Sequence, residues 1–292
     1  MPEVLLLGSP VSHSLSPVFQ NAGFRAVGLS DWTYSAREVG PAGVAEVCRR
    51  VRRGELAGAN ITLPHKQLAL EHADRATPQA AAIGAANTWA REVRGKVVAH
   101  NTDVVGIERT LSVIGLAPRN VLVLGAGGSA RAAVWECLRV AGRVTLVSRR
   151  REQGLEIATA SLQWPHGGPC GALGWGSDQS SRADLLEAVA EADLIINATP
   201  NQAALDPVMA AVPWSAVHPM AWVFDLSYGR QPTVCLKHAR KAGCQVVDGA
   251  VMLVEQGAAS FELWTGQPAP REVMAAALAH ALGRAKLLEI PA

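Results

Sequence analysis

The segment Gly125-Ala126-Gly127-Gly128-Ser129-Ala130 constrains the fold more than any other part of this chain. An apolar strand pattern, Asn120–Leu124, runs into it, a helical pattern, Ser129–Val140, leaves it, and a second strand pattern follows at Arg143–Val147. Strand, glycine-rich turn, helix and strand within about 30 residues make a βαβ unit. Such a unit commits its strands to a parallel sheet with helices packed on its faces. Glycines at this turn allow a tight bend and a close backbone approach to a pyrophosphate, which the helix N-terminus stabilises. A glycine-rich string alone would also suit a purely structural turn. Its place between a strand and a helix favours dinucleotide binding.

Short β-type runs alternate with helical patterns along the rest of the chain, which predicts a parallel α/β architecture. Before the glycine turn, strands are predicted at Glu3–Leu7, Trp32–Ser35, Leu56–Ile61, Thr88–Arg91 and Lys96–Ala99. Helices are predicted at Ser16–Val27, at Pro41–Arg53, from Pro64, and from Val104 to Ile114. Further strands are expected at Asp193–Ile196, Trp222–Phe224 and Cys244–Val246, and closing helices at Ala250–Trp264 and Pro270–Leu288. The stretch Gln163–Gln179, rich in Gly, Trp and Pro, reads as an irregular connection. A length of 292 residues suits two domains.

Composition narrows the partners. A net charge of +2 and dispersed arginines give no electrostatic footprint for nucleic acid. No stretch approaches the roughly 18 apolar residues of a membrane span. The five cysteines, Cys48, Cys137, Cys170, Cys235 and Cys244, lack Cys-x-x-Cys spacing and read as reduced thiols of a cytoplasmic protein. The histidines show no metal-ligand spacing, so no metal is expected.

The end of the second strand selects the dinucleotide. NAD sites place an acid there to take the ribose hydroxyls. This chain has Ser148-Arg149-Arg150-Arg151 instead, with no acid before Glu152. Guanidinium groups bind an added phosphate with paired hydrogen bonds, so the expected cofactor is NADP. A solvated helix start is the bland alternative, but cations at a helix N-terminus oppose its dipole.

Polar motifs cluster elsewhere. Gly8 to Pro17 reads Gly-Ser-Pro-Val-Ser-His-Ser-Leu-Ser-Pro, in which Ser16 is expected to cap the helix that Pro17 begins. Asn60-Ile61-Thr62-Leu63-Pro64-His65-Lys66 follows one strand, Gly84-Ala85-Ala86-Asn87-Thr88 precedes another, and Asn101-Thr102-Asp103 follows a third. Asn and Thr form loops on their own account, but their recurrence beside strand ends suits a shared polar pocket. Lys66 stands out because only five lysines, Lys66, Lys96, Lys237, Lys241 and Lys286, occur among 27 basic residues. Lysine, unlike arginine, can exchange a proton near neutral pH in suitable surroundings.

Together these motifs resemble the shikimate dehydrogenase family across nearly the whole chain, in order. The match includes Gly8 to Pro17, Asn60 to Lys66, Gly84 to Thr88, Asn101 to Gly106, the nucleotide loop, and Asp248-Gly249 through Met252-Leu253, Gln256, Phe261 and Trp264-Thr265-Gly266. The resemblance implies an α/β fold of two domains. One is an N-terminal α/β substrate domain, residues 1–104 completed by 250–292, to which the C-terminal helices return. The other is a Rossmann-type, doubly wound NADP-binding domain over residues 105–249.

The resemblance also implies reversible, NADP-linked conversion of shikimate to 3-dehydroshikimate, a step toward chorismate and the aromatic amino acids. It assigns Lys66 and Asp103 to catalysis, and Ser14, Ser16, Asn60, Thr62, Asn87, Asp103, Tyr228 and Gln256 to substrate. Cofactor contacts are expected at Gly125, Ala126, Gly127, Gly128, Ser129, Ala130, Ser148, Arg149, Arg150, Leu226 and Gly249. A homodimer stands open as the assembly. Oxidising an alcohol removes its proton as hydride leaves, so a base must lie within hydrogen-bond reach. Lys66 is expected to carry that proton while Asp103 orients it.

Three stretches depart from the family pattern: Asn197-Ala198-Thr199-Pro200-Asn201-Gln202, Tyr228-Gly229-Arg230-Gln231-Pro232-Thr233, and Gln163–Gln179. Two other functions stay open. A quinate or dual quinate/shikimate dehydrogenase would need room for one more hydroxyl and often prefers NAD, against which the arginine run argues. A non-catalytic sensor of shikimate or NADP would have no need of both Lys66 and Asp103.

Overall fold

The computed structural model describes residues 1–175, 179–200 and 209–287. In chain order its elements are β1 (Glu3–Gly8), α1 (Ser16–Ala26), β2 (Thr33–Glu38), α2 (Pro41–Arg53), β3 (Gly58–Ile61), α3 (Lys66–His72), β4 (Arg75–Ala76), α4 (Pro78–Ile83), β5 (Thr88–Arg91) and β6 (Val97–His100). There follow α5 (Asp103–Val113), β7 (Asn120–Leu124), α6 (Gly128–Val140), β8 (Arg143–Ser148), α7 (Arg151–Ser161), β9 (Cys170–Gly174), α8 (Gln179–Glu191) and β10 (Leu194–Asn197). The chain closes with β11 (Trp222–Asp225), α9 (Val234–Lys241), β12 (Gln245–Asp248), α10 (Ala250–Thr265) and α11 (Arg271–Leu282). Two compact units result, Met1–Arg109 with Val251–Ala292, and Thr110–Ala250. Among the described residues, no helix is long and apolar enough to cross a membrane.

The first unit holds a sheet in the order β2-β1-β3-β5-β6-β4. β1 runs parallel to β2 and β3, whereas β5 is antiparallel to both β3 and β6. The sheet is therefore mixed, not parallel throughout. Helix α2 shows how sequence pattern becomes packing. Val44, Val47, Cys48 and Val51 recur at helical spacing and are all buried. They join Leu5, Leu7, Ala59, Ile61 and Trp89 from the sheet in one apolar core. Pro41 starts the helix, Gly54 ends it at φ +78°, and Arg50, Arg52 and Arg53 complement its negative end.

The second unit has a wholly parallel sheet in the order β12-β11-β10-β7-β8-β9. Strand order reverses at β7, so a crevice opens at the carboxyl ends of β7 and β10, where doubly wound sheets bind ligands. Leu122, Leu124, Val147, Ile195 and Val223 from the strands meet Leu185 and Val189 of α8 and Leu236 and Ala239 of α9.

Several local expectations change. The stretch Gln163–Gln179 contains edge strand β9, which pairs with β8 from Val144↔Cys170 to Ser148↔Gly174. Its sequence, Cys-Gly-Ala-Leu-Gly, has low strand propensity, so the ladder with β8 holds it. Residues 176–178 of that stretch, and residues 201–202 of the Asn197–Gln202 motif, lie outside the described residues. The helix after Lys66 begins at that residue and not at Pro64, because Thr62–His65 forms a turn closed by the His65 N–H on the Thr62 carbonyl at 2.9 Å. The final helix stops at Leu282, where Gly283 takes φ +70°; the expected Leu288 end lies outside the described residues.

Gly58 sits under the ring of Trp264. A methyl group there would lie 2.3 Å from Trp264 Cδ1 and 2.7 Å from the Trp89 carbonyl oxygen. That carbonyl already accepts the Trp264 Nε1–H at 2.9 Å, so neither neighbour yields cheaply. Gly58→Ala is expected to destabilise the protein by about 1–3 kcal/mol, read as a lowered thermal midpoint. An unchanged midpoint would contradict this packing.

A buried polar knot ties the ends of β10 and β11 together. Asp225 accepts from Thr233 Oγ1 at 2.6 Å and from the Ser227 N–H at 2.9 Å. Asn197 accepts from Thr199 Oγ1 at 2.6 Å. Burial pushes the Asp225 carboxyl up to about 6, against the pull of hydrogen bonds from Thr233, Ser227 and Asn197. Between about pH 4 and 6 the folded state therefore holds a proton that the unfolded chain, near the ordinary 3.8, has released. Stability from this group falls as pH rises from about 4 through about 6, then levels off. Asp225→Asn removes that dependence. Over this window the variant should gain about 3 kcal/mol relative to the parent in denaturant unfolding. A difference independent of pH would mean that the carboxyl ionises in the fold as it does in the free chain.

Candidate active site

Lys66 and Asp103 meet because two strand ends deliver them. The turn after β3 puts Lys66 at the start of α3, and β6 leads through Asn101 and Thr102 to Asp103 at the start of α5. An acid in a first turn suits the helix dipole, whereas a cation there does not. The pairing offsets that cost: Lys66 Nζ donates to Asp103 Oδ2, with the two side chains only 12% and 5% exposed.

Asn87, just before β5, holds the other carboxylate oxygen. Its amide orientation follows from donor logic. The Thr102 backbone N–H can only donate, and it lies 2.7 Å from Asn87 Oδ1. The NH2 must then face Asp103 Oδ1 at 2.8 Å, with Thr102 Oγ1 at 2.9 Å and Gln256 Oε1 at 3.2 Å beside it. Asp103 thus has one N–H donor on each oxygen. Gln256 reaches the group from α10 and donates its own Nε2–H to the Leu253 carbonyl at 2.8 Å.

Asn60 lies behind this group at the end of β3. Its Oδ1 accepts the Tyr34 hydroxyl at 2.8 Å, which directs its NH2 to the Asn87 carbonyl at 3.1 Å, Thr88 Oγ1 at 2.9 Å and Ser260 Oγ at 3.0 Å. Hydrogen bonds therefore unite Lys66, Asp103, Asn87, Asn60 and Gln256. Thr62 is half-buried at the mouth of the same turn; a methyl group on Gly8 would come within 2.5 Å of its Cγ2. Ser14 and Ser16 contact each other, Oγ to Oγ, at 3.2 Å. Ser16 does not cap α1. It is the first helical residue, and its own N–H is taken by Ser14 Oγ at 3.2 Å.

The cofactor candidates lie in the second unit. Gly125 has φ +114°, and a side chain there would press on the Ala198 carbonyl oxygen at 3.1 Å. Gly127 caps α6 with no side-chain hydrogen bond, so a helix N-terminus of Gly128, Ser129 and Ala130 is presented behind an unobstructed backbone turn. Ser148 ends β8, buried, and donates to the Arg150 carbonyl at 2.7 Å, which leaves Arg149 and Arg150 exposed at the start of α7. Gly249 packs on Leu226: a methyl group would fall 2.1 Å from the Leu226 carbonyl oxygen. Tyr228 is half-buried in the loop after β11. Among the described residues, no His, Cys, Asp and Glu side chains gather as a metal site.

Tyr34, Thr88, Thr102 and Ser260 also belong to the polar group of the first unit, and the motifs did not single them out as site residues. Thr88 and Thr102 carried a signal, as the neighbours of Asn87 and Asp103 in their motifs. Tyr34 and Ser260 carried none beyond the rarity of tyrosine and the four-residue step from Gln256.

Known proteins match this architecture along its length. Residues 6–89 match the family model of the shikimate dehydrogenase substrate binding domain, and residues 249–279 that of the shikimate 5'-dehydrogenase C-terminal domain. The shikimate dehydrogenase (NADP(+)) of Moorella thermoacetica is 37% identical over 96% of this chain and 93% of its own. The crystal structure of Mycobacterium tuberculosis shikimate dehydrogenase superposes with a TM-score of 0.82 at 32% identity, covering 96% of this chain and all of that one. A Thermus thermophilus shikimate 5-dehydrogenase in complex with NADP(H) and shikimate gives a TM-score of 0.80 at 31% identity, over 96% and 100% of the two chains. The chain belongs to the shikimate dehydrogenase family.

Proposed function

We propose that this protein is an NADP-dependent shikimate dehydrogenase, which interconverts shikimate and 3-dehydroshikimate at the ring hydroxyl on carbon 3. The observation that carries this reading is the buried Lys66–Asp103 pair, with Asn87 fixed on its second carboxylate oxygen. Alcohol oxidation needs a group that moves the hydroxyl proton and another that holds the hydroxyl in register. Both oxygens of Asp103 already accept an N–H, so it acts as an acceptor that orients, and Lys66 Nζ is the group that moves the proton. Ser14, Ser16, Asn60, Thr62, Asn87, Gln256 and Tyr228 supply the hydroxyl, amide and phenol groups that suit a polyol carboxylate. Their neutrality is an advantage, because they recognise hydroxyls without competing for the proton.

NADP, when bound, supplies the hydride acceptor. The open N-terminus of α6 behind Gly125 and Gly127 fits its pyrophosphate. The exposed Arg149 and Arg150 fit its additional phosphate, with Ser148 and not an acid at the strand end. Leu226 and Gly249, joined closely backbone to side-chain-free backbone, fit an apolar wall of the cofactor site. Free, mostly buried thiols support a reducing, cytoplasmic setting, in which reduction of 3-dehydroshikimate feeds chorismate and aromatic amino-acid synthesis.

The direct test is NADPH formation, followed by absorbance, from shikimate and NADP. Lys66→Ala should lower turnover about 10²- to 10⁴-fold, with shikimate still bound in calorimetry; near-normal turnover would sink the assignment of Lys66. Arg149→Asp should cut kcat/KM for NADP by more than about tenfold, from lost charge-assisted hydrogen bonds, and should leave use of NAD far less affected. Equal losses with both cofactors would show that Arg149 does not read the phosphate.

A further inference from the structure

Behind the Lys66–Asp103 pair, three hydroxyls, from β5, from the turn before α5 and from α10, close a triangle. Thr88 Oγ1 and Ser260 Oγ are 2.8 Å apart, Thr102 Oγ1 and Ser260 Oγ 3.1 Å, and Thr88 Oγ1 and Thr102 Oγ1 3.2 Å. Thr88 and Ser260 are fully buried and Thr102 is 4% exposed, so none of the hydrogen bonds can be traded for bulk water. A site cut off from water in this way has a fixed supply of protons, one per hydroxyl, and their directions can be assigned.

Ser260 Oγ lies 3.0 Å from the carbonyl of Gln256, one turn back on α10. A carbonyl only accepts, so the Ser260 proton goes there and Ser260 is left as an acceptor for its neighbours. Thr102 can then give its proton to Ser260 while receiving the Asn87 Nδ2–H at 2.9 Å. Thr88 gives its proton to Ser260 across the shortest side, 2.8 Å, and accepts an Asn60 Nδ2–H at 2.9 Å. The result is a one-way chain from the Asn87 NH2 through Thr102 and Ser260 to the Gln256 carbonyl. Chains of this kind polarise one another and strengthen in a low-dielectric interior. Remove Ser260 and the Thr102 proton loses its acceptor on α10. It then turns toward Asn87 Oδ1, 3.2 Å away, and the drain that draws the Asn87 NH2 toward Thr102 is lost.

We propose that Ser260 is a positioning residue for the Lys66–Asp103 pair, acting through Thr102 and Asn87 on the Asp103 carboxylate. It is fully buried and so cannot touch substrate itself. Tyr34 plays the corresponding part on the other side: its hydroxyl fixes Asn60, whose NH2 completes the shell around Ser260 and Thr88. The proposal rests on the reading of the pair as the proton-transfer site, and its consequence is kinetic. Loss of Ser260 should alter the rate of the chemical step and its pH dependence more than it weakens shikimate recognition.

The experiment compares the full-length parent with Ser260→Ala, Ser260→Thr and Tyr34→Phe. Ser260→Ala is expected to lower kcat for shikimate oxidation about tenfold, the scale of a small misplacement in a catalytic group, to displace the pH profile of kcat, and to raise KM for shikimate by a smaller factor. Ser260→Thr, which keeps the hydroxyl, should restore the profile, and Tyr34→Phe should act in the same direction as Ser260→Ala. A Ser260→Ala protein with a lower melting temperature but the parent's kcat and pH profile would overturn the proposal and reduce Ser260 to a packing role. Should Ser260→Ala fail to fold, Tyr34→Phe decides on the same criteria. A parent without shikimate-dependent NADPH formation would refute the assigned reaction instead. In that event the side-chain NH2 resonances of Asn87 decide the positioning role separately: they should shift in Ser260→Ala, and unchanged resonances would overturn it.

Discussion

An ammonium and a carboxylate withdrawn from water must be held by each other and by further donors, or the fold loses more than their attraction returns. The first unit of this protein is arranged around that requirement. Lys66 answers one oxygen of Asp103 and Asn87 answers the other. Asn87 is in turn held by the Thr102 backbone, and the array behind it ends on a helix carbonyl of α10. Strands β3, β5 and β6 and helices α3, α5 and α10 each deliver one or two members. Their packing is therefore fixed by polar geometry as well as by the apolar core. Replacing a buried ion pair by well-packed apolar groups is often neutral or stabilising, so this pair is weak as a source of stability and costly to break by halves.

The nucleotide unit was the more legible half. Its glycine turn, its flanking strand and helix, and the arginines after β8 are local in sequence, and local patterns are what a chain displays most openly. Strand β9 escaped because Cys170–Gly174 has no apolar alternation and owes its extension to β8. In the first unit, Lys66, Asp103, Asn60, Asn87 and Gln256 were visible as polar residues in short motifs, and the fold brings them within hydrogen-bond reach of one another. Antiparallel β5 was not visible, since direction of pairing depends on how a long connection returns and not on the strand's own residues.

Tyr34 and Ser260 show a different limit. Each has a structural reading that satisfies the sequence alone: an aromatic residue on a half-buried strand, and a small residue on a packed helix face. Their hydroxyls gain meaning only when Asn60 and Thr102 arrive from distant parts of the chain. The Asn60–Ser260 contact spans 200 positions and the Thr102–Ser260 contact 158. Polar contacts at such separation leave no periodicity to detect. The expected cap at Ser16 failed because the helix starts one residue earlier: Leu15 takes the cap position, and no side chain caps the helix.

The first unit is also discontinuous, closing only when Val251 and the residues after it return to the strands made at the start. A chain emerging from the ribosome would therefore complete the second unit, contiguous from Thr110 to Ala250, before the first could close. Until α10 appears, Asn60, Thr88 and Thr102 lack Ser260, and the cleft beneath Trp264 at Gly58 stands uncovered. Synthesis thus runs ahead of assembly in this protein: Lys66, Asn87 and Asp103 are encoded early, and the polar array around them closes late. In the interval the nascent first unit holds interior amides and hydroxyls whose partners on α10 are not yet made.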